Sequence, residues 1–162
     1  MKPNTGIVLL LLLPFALLAQ EKSDPHHDEV LHRGDHVMGF SHEKTTHHFH
    51  LLSDGGSIEA IANDAADTAS RNQIREHLQH IAAMFKHGDF NAPLLIHSQN
   101  PPGVPTMRRL RKEIEYRVED VPNGARVRVS SGNEKAIAAI HEFLRFQIQD
   151  HQTGDALAIG KE

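Results

Sequence analysis

The sequence has no cysteine. That absence excludes disulfide staples, lipid attached through a thiol, thiolate-ligated zinc and haem held through Cys-x-x-Cys-His, so the fold must be stabilised by its core alone. Long apolar runs are equally scarce. Residues 7–19 form one that ends at Ala19 and is interrupted by Pro14. A membrane-spanning helix needs ~20 apolar residues, whereas a positive start at Lys2 followed by such a run has the layout of a secretory signal peptide. The expectation is cleavage after Ala19, a periplasmic or secreted mature chain, and no membrane anchor thereafter. No basic face interleaved with aromatic residues is present, which argues against nucleic acid as a partner. Also missing are a Gly-x-Ser-x-Gly elbow, a Walker loop and a Gly-x-Gly-x-x-Gly turn. His42-Glu43-Lys44-Thr45-Thr46-His47 has one residue too many for the zinc-peptidase pattern His-Glu-x-x-His, whose histidines sit one helical turn apart.

What remains after the leader is about 140 residues, enough for one domain with a real core and too few for two. Seventeen Lys and Arg stand against 21 Asp and Glu, a mildly acidic balance while histidine is neutral. Histidine is what the chain has in quantity: fourteen, of which eight lie between Pro25 and His50. At an ordinary pKa of ~6.5, that number would reverse the sign of the net charge in mildly acidic surroundings.

Residues 20–42 are polar, without helical or strand periodicity, and read as a histidine-rich flexible arm. Thr45–Leu52 reads as a strand, Ser53-Asp54-Gly55-Gly56 as a turn and Ser57–Ala62 as the partner strand. Asp67-Thr68-Ala69-Ser70 offers caps for a helix that runs to Lys86 or His87 and stops at Gly88. Residues 89–106, with four prolines, read as a loop followed by a short basic helix to about Arg111. Glu113–Glu119, a Pro122-Asn123-Gly124 turn and Ala125–Ser130 make a second hairpin, and Ser131 or Asn133 caps a last helix ending near Gly154. Ile74-x-Glu76-x-Leu78 and Ile140-x-Glu142-x-Leu144 match, as do Gly88-Asp89 and Gly154-Asp155 at the same offset. The expected fold is therefore α+β: two ββα units over residues 43–155 that share a four-stranded antiparallel sheet with both main helices on one face, followed by a short tail at 156–162.

Alternation along the first strand points Phe49 and Leu51 at the helices, and His47 with them. His48 and His50 then share the opposite face, close enough for both imidazoles to reach one ion. Glu59, Glu115, Arg117, Arg126 and Arg128 fall on that face too. Two neutral imidazoles suit Cu(II), Zn(II) or Ni(II). Glu59 or a histidine of the arm (His26, His27, His32, His36, His42) would complete the shell, and the competing reading is a solvated polar face. On the first helix, His77 and His80 at i,i+3 form a second candidate pair, although His77 also suits the edge of the apolar stripe Ile74, Leu78, Ile81, Phe85 and His80 the surface. His141 and His151 fall inside the stripe of the last helix and read as hydrogen-bonded core residues, while Phe143 and Phe146 project to the side. The Arg108-Arg109-x-Arg111-Lys112 cluster is an anion site or a solvated face.

Thr45-Thr46-His47-His48-Phe49, Asp54-Gly55-Gly56, Ile74-Arg75-x-His77-Leu78-x-His80-Ile81-Ala82 and His141-x-Phe143-Leu144-x-Phe146-Gln147-Ile148-x-x-His151-x-Thr153-Gly154-Asp155 together resemble a group of short exported bacterial proteins to which no activity is assigned. The resemblance spans about residues 38–155. Some of that group carry the name aspartate carbamoyltransferase, an activity that requires a much longer chain of two α/β domains and a Ser-Thr-Arg-Thr loop for carbamoyl phosphate. This sequence has no such loop.

Three functions follow as expectations. The first is an exported protein that binds or buffers Cu or Zn through His48, His50 and recruited arm histidines. The second is a small hydrolase or isomerase with His141, His151 or His77 as general base, oriented by Glu76, Asp89 or Asp155. The third is an interaction module that dimerises through Phe143 and Phe146.

Overall fold

Alternating apolar residues give both expected hairpins. β1 (Thr45–Leu52) and β2 (Gly55–Ala62) pair antiparallel with Phe49 opposite Ile58, and β3 (Ile114–Val121) pairs with β4 (Gly124–Ser131). The computed structural model of the protein describes residues 24–160. The signal peptide expected at 1–19 lies outside those residues. β2 and β4 pair in the centre, so the sheet is four-stranded, antiparallel and ordered β1-β2-β4-β3. Phe49, Leu51, Ile58, Ala60, Val127 and Val129 are buried on one face. The register places His48, His50, Glu59, Arg126, Arg128, Glu115 and Arg117 on the other.

Capping residues decide where the two main helices start. Asp67 accepts from the backbone N–H of Ser70 and opens α2 (Thr68–Lys86), and Asn133 accepts from Lys135 and Ala136 to open α5 (Glu134–Asp150). Each such cap contributes about 1 kcal/mol. α2 lies over β3, β4 and β2, and α5 over β1, β2 and β4. Their stripes (Ile74, Leu78, Ile81 and Phe85 on α2; Ile140, Leu144 and Ile148 on α5) are all buried. Gly103, before α4 (Val104–Arg109), holds φ at +82°, and a Cβ there would stand 2.0 Å from the Ala139 carbonyl oxygen of α5. α4 therefore packs backbone to backbone on α5 at the only residue type that fits. Among the described residues no helix is long and apolar enough to cross a membrane.

Two stretches differ from expectation. The arm is helical: α1 (Pro25–Met38) begins with Asp24 accepting from His26 N–H and Pro25 in the first turn, and it ends at Gly39 in the left-handed conformation. Val30, Gly34, Val37 and Met38 form its inner face, and it packs on α3 (Asn91–His97), a helix inside the stretch read as loop. Proline is compatible with a first turn, where the N–H lacks an intrahelical partner; this is how Pro93 and Pro25 both sit in helices. Phe143 packs within the chain, 2% exposed and edge-on to Phe85 and Phe90, while half-buried Phe146 is edge-on to His97 of α3.

The centre of α5 should dominate stability. Ile140→Ala is expected to lower the unfolding free energy by about 2–5 kcal/mol, whereas Leu95→Ala, at a side chain 55% exposed, should stay within about 0.5 kcal/mol; urea unfolding of the two variants measures both.

Candidate functional site

Strand alternation divides the histidines of β1 between two places. On the outer face the rings of His48 and His50 stack, with centroids 6.1 Å apart and planes 19° from parallel. Asp155, in the segment after α5, accepts from His48 Nδ1 (3.0 Å) and from the backbone N–H of Phe49 (2.9 Å) on the free edge of the strand. Burial opposes ionisation of Asp155, but these bonds and one from the Thr153 hydroxyl outweigh it and hold the carboxyl below its ordinary range. Glu59 stands directly across from His48 and faces Arg126 at 3.8 Å. Among the described residues, no three His, Asp or Glu side chains are grouped to hold a metal ion.

The arm histidines are distributed along α1 and its flanks. His26 donates to Asp150 (2.9 Å), His42 to Asp35 (2.9 Å), and His32 and His36 are exposed. Ten helical residues separate His26 from His36, ~15 Å along the axis, so the helix spreads its imidazoles into two groups, His26 and His27 at Asp150 and exposed His32 and His36 one turn apart. Among the described residues none of them bonds to or stacks on His48 or His50. The second expected pair also parts: His80 is exposed while His77 turns inward.

On the inner face His47 opens a cleft that the sequence does not announce. His47 from β1, His77 from α2 and His151 at the end of α5 line an apolar cavity of about 60 Å³, together with Met38, Phe49, Ile96 and Gln147. His47 stacks on His151 at 6.0 Å and on Phe40 at 5.8 Å, and Phe40 is edge-on to His77 at 5.4 Å. Burial pushes His47 down to about 4, with His48 adding to the effect. It does the same to His77, again to about 4, and to His151, to about 3, each aided by the neighbouring His47. All three rings are neutral at pH 7.

Behind the cleft lies a carboxylate–imidazole pair. His97 of α3 is buried, its Nδ1 donating to Asp150 at 2.5 Å and its Nε2 lying 3.0 Å from the Gln147 side-chain oxygen; its ring is edge-on to His151 at 4.9 Å. Burial raises the cost of the Asp150 charge, and hydrogen bonds from His26 and then His97 overcome it, leaving the carboxyl below its ordinary range. The Gln147 amide has two polar ends and only one is used. Its Nε2 is buried with no partner.

The carboxylates expected to orient a catalytic histidine are elsewhere. Glu76 is exposed, Asp89 accepts from the backbone of Asn91, and Asp155 serves His48. His141 is a satisfied core residue as anticipated, bonded to the Leu52 carbonyl at 2.9 Å. The buried carboxylate–imidazole contact, His97 with Asp150, is not legible in the sequence because His97 sits in a proline-rich stretch; the spacing of Gln147, Asp150 and His151 on one helix end is the available signal. The class of protein is thus a small α+β domain with a histidine-lined cleft between its sheet and its helices. No protein-family model, curated protein or solved structure matches the chain.

The cleft fixes the acid limb of stability. Three imidazoles depressed below 6.5 bind protons in the unfolded chain before they do in the folded one. Their contribution is unaffected above pH ~6.5 and falls as pH drops from there towards ~4, by up to about 1.4 kcal/mol per pH unit for each ring. Urea unfolding at a series of pH values should show this slope, and His77→Phe should make it shallower.

Proposed function

We propose that the chain is an exported binding domain whose ligand enters the cleft formed by His47, His77 and His151. The observation that carries this reading is the buried Gln147 amide, one end of which has no partner among neutral imidazoles and apolar walls. A buried polar atom without a hydrogen bond costs about 1–3 kcal/mol, a cost that a ligand's polar group would remove. The cavity has room for one end of a ligand, on the scale of two waters at ~30 Å³ each. Its walls favour an uncharged, flat or aliphatic group bearing a single hydrogen-bonding atom. Proton abstraction is a poorer use of the site, because a base with a pKa of 3–4 is far from the match with neutral pH that general-base catalysis requires.

Small phenols, amides and azoles, titrated into the intact domain, should shift the His47, His77 and His151 ring resonances and leave exposed His80 and His87 in place. Gln147→Leu should weaken the polar fragments relative to a hydrocarbon of the same size. Fragments that leave the three rings unmoved would remove this reading.

A second reading rests on the outer face. Asp155 accepts a hydrogen bond from His48 Nδ1–H, which leaves Nε2 as the lone-pair nitrogen of a ring stacked on His50. A carboxylate holding the far nitrogen is the usual arrangement around a metal-ligating histidine. Cu(II), Zn(II) or Ni(II) would be held by these two rings, with Glu59 or solvent filling the remaining positions. Cu(II) titration of untagged protein should show His50→Ala and Asp155→Asn both weakening the complex, with no effect from His36→Ala; affinity no tighter than millimolar would end this proposal.

A further inference from the structure

We propose that the concavity between the C-terminal end of α2, the 3-10 turn at Arg111–Glu113 and β3 binds a compact, multiply charged oxyanion of the pyrophosphate type. Its volume is about 770 Å³, and it is lined by Lys86, His87, Arg111, Lys112 and Arg117, a size ordinary for a small-molecule site. The chain as a whole carries a formal charge of −4, so this gathering of cations runs against its overall balance. Glu115 and Arg117, 3.8 Å apart and largely in solvent, alternate onto the face of β3 away from α2, so Lys86, Arg111 and Lys112 carry the charge over the concavity. A pair so exposed neutralises little. Among the described residues Lys86 and Lys112 have no hydrogen bond or ion pair to satisfy them.

The rim is braced. Arg108 donates from Nε to the Gly88 carbonyl (3.1 Å) and lies over the Phe90 ring, while Arg111 donates to the Arg108 carbonyl. Gly88, with φ at +82°, has the Arg111 side chain 3.3 Å from where a Cβ would be. The Arg111 stem is therefore held against the end of α2, with guanidinium donors left for an anion. Tyr116 closes the floor of the concavity and packs on the core edge-on to Phe85. Guanidinium forks and ammonium groups match the charge of linked phosphate oxygens, which accept several charge-assisted bonds at once. This site shares no residue with the histidine cleft and does not depend on it.

The test is a calorimetric and NMR titration of the intact domain with inorganic pyrophosphate at low and high salt. The expected result is saturable one-site binding that weakens with salt, with shifts at Tyr116, His87 and Arg117. Arg111→Gln and Lys112→Gln should each lose about tenfold in affinity, the scale of one charge-assisted hydrogen bond. Lys44→Gln and Lys135→Gln, which change net charge equally but lie elsewhere, should lose none. Absence of saturable binding would overturn the proposal. So would an equal loss in the two control variants, which would reduce the effect to diffuse charge.

Discussion

β1 can bury its apolar residues in only one register, and both histidine sites follow from that. Phe49 and Leu51 point at the helices, each contributing about 1.5–3 kcal/mol by leaving water, and their alternation sends His47 inward and His48 and His50 outward. A slip of one residue would exchange the faces and bring two imidazoles into the core in place of two apolar side chains. The free edge of the strand reinforces the choice. Asp155 holds the Phe49 N–H, Gly160 donates to the Leu51 carbonyl, and His141 donates to the Leu52 carbonyl. An edge that would otherwise offer unpaired backbone to another strand is thus closed by the same segment that orients His48.

A second constraint is the Asp150 carboxylate, where α5, α3 and α1 meet. It is partly buried, and two imidazoles from different helices donate to it. His26 ties the start of α1 there, and Arg33 ties its middle to the Ile96 carbonyl of α3. The far end of α1 then delivers Met38 and Phe40 over the cleft. The roof of the cleft and its rear wall are fastened through one carboxylate, and that fastening has a pH window. The Asp150 bond raises the His26 pKa, so its contribution is complete below the ordinary value of 6.5 and fades as pH rises through the folded value. The cleft imidazoles act in the opposite sense, destabilising as pH falls. Between these limbs the roof is fastened and the cleft neutral.

How much of this could be read from residues alone differs by element. The hairpins, α2, α5 and the two faces of β1 were legible because the apolar period is regular there and the turns carry glycine or Asn-Gly. α1 was not, since its inner face has Val30 as its sole fully buried apolar side chain and Gly34 at its centre. Its caps, Asp24-Pro25 and Gly39, were the readable sign. α3 was masked by neighbouring prolines, and His97 with it. The cleft required tertiary information: His47, His77 and His151 are each unremarkable in their own element, and only the crossing of α5 over β1 brings them together. His48 and His50 were legible as sharing one face, whereas the arm histidines, carried on a helix, do not bond to or stack on either ring among the described residues.

The inward histidines are not what the fold needs. On α2 the stripe Ile74, Leu78, Ile81 and Phe85 already covers the sheet, and on α5 Ile140, Leu144 and Ile148 do the same; His77 sits at the edge of the first stripe and His151 extends the second by one turn past the helix end. Leucine or phenylalanine at either position would fill comparable space with no titratable group to desolvate, and the acid limb of stability would flatten. Gln147 repeats the pattern, since an apolar side chain there would leave no amide end without a partner. Departures from what packing alone requires are expected where a protein does something besides fold. Here three of them, His77 on one helix and Gln147 and His151 at the end of another, line the same cavity. Polar residues on the surface cost nothing, whereas these are desolvated inside, and it is on that convergence that the proposed binding role rests.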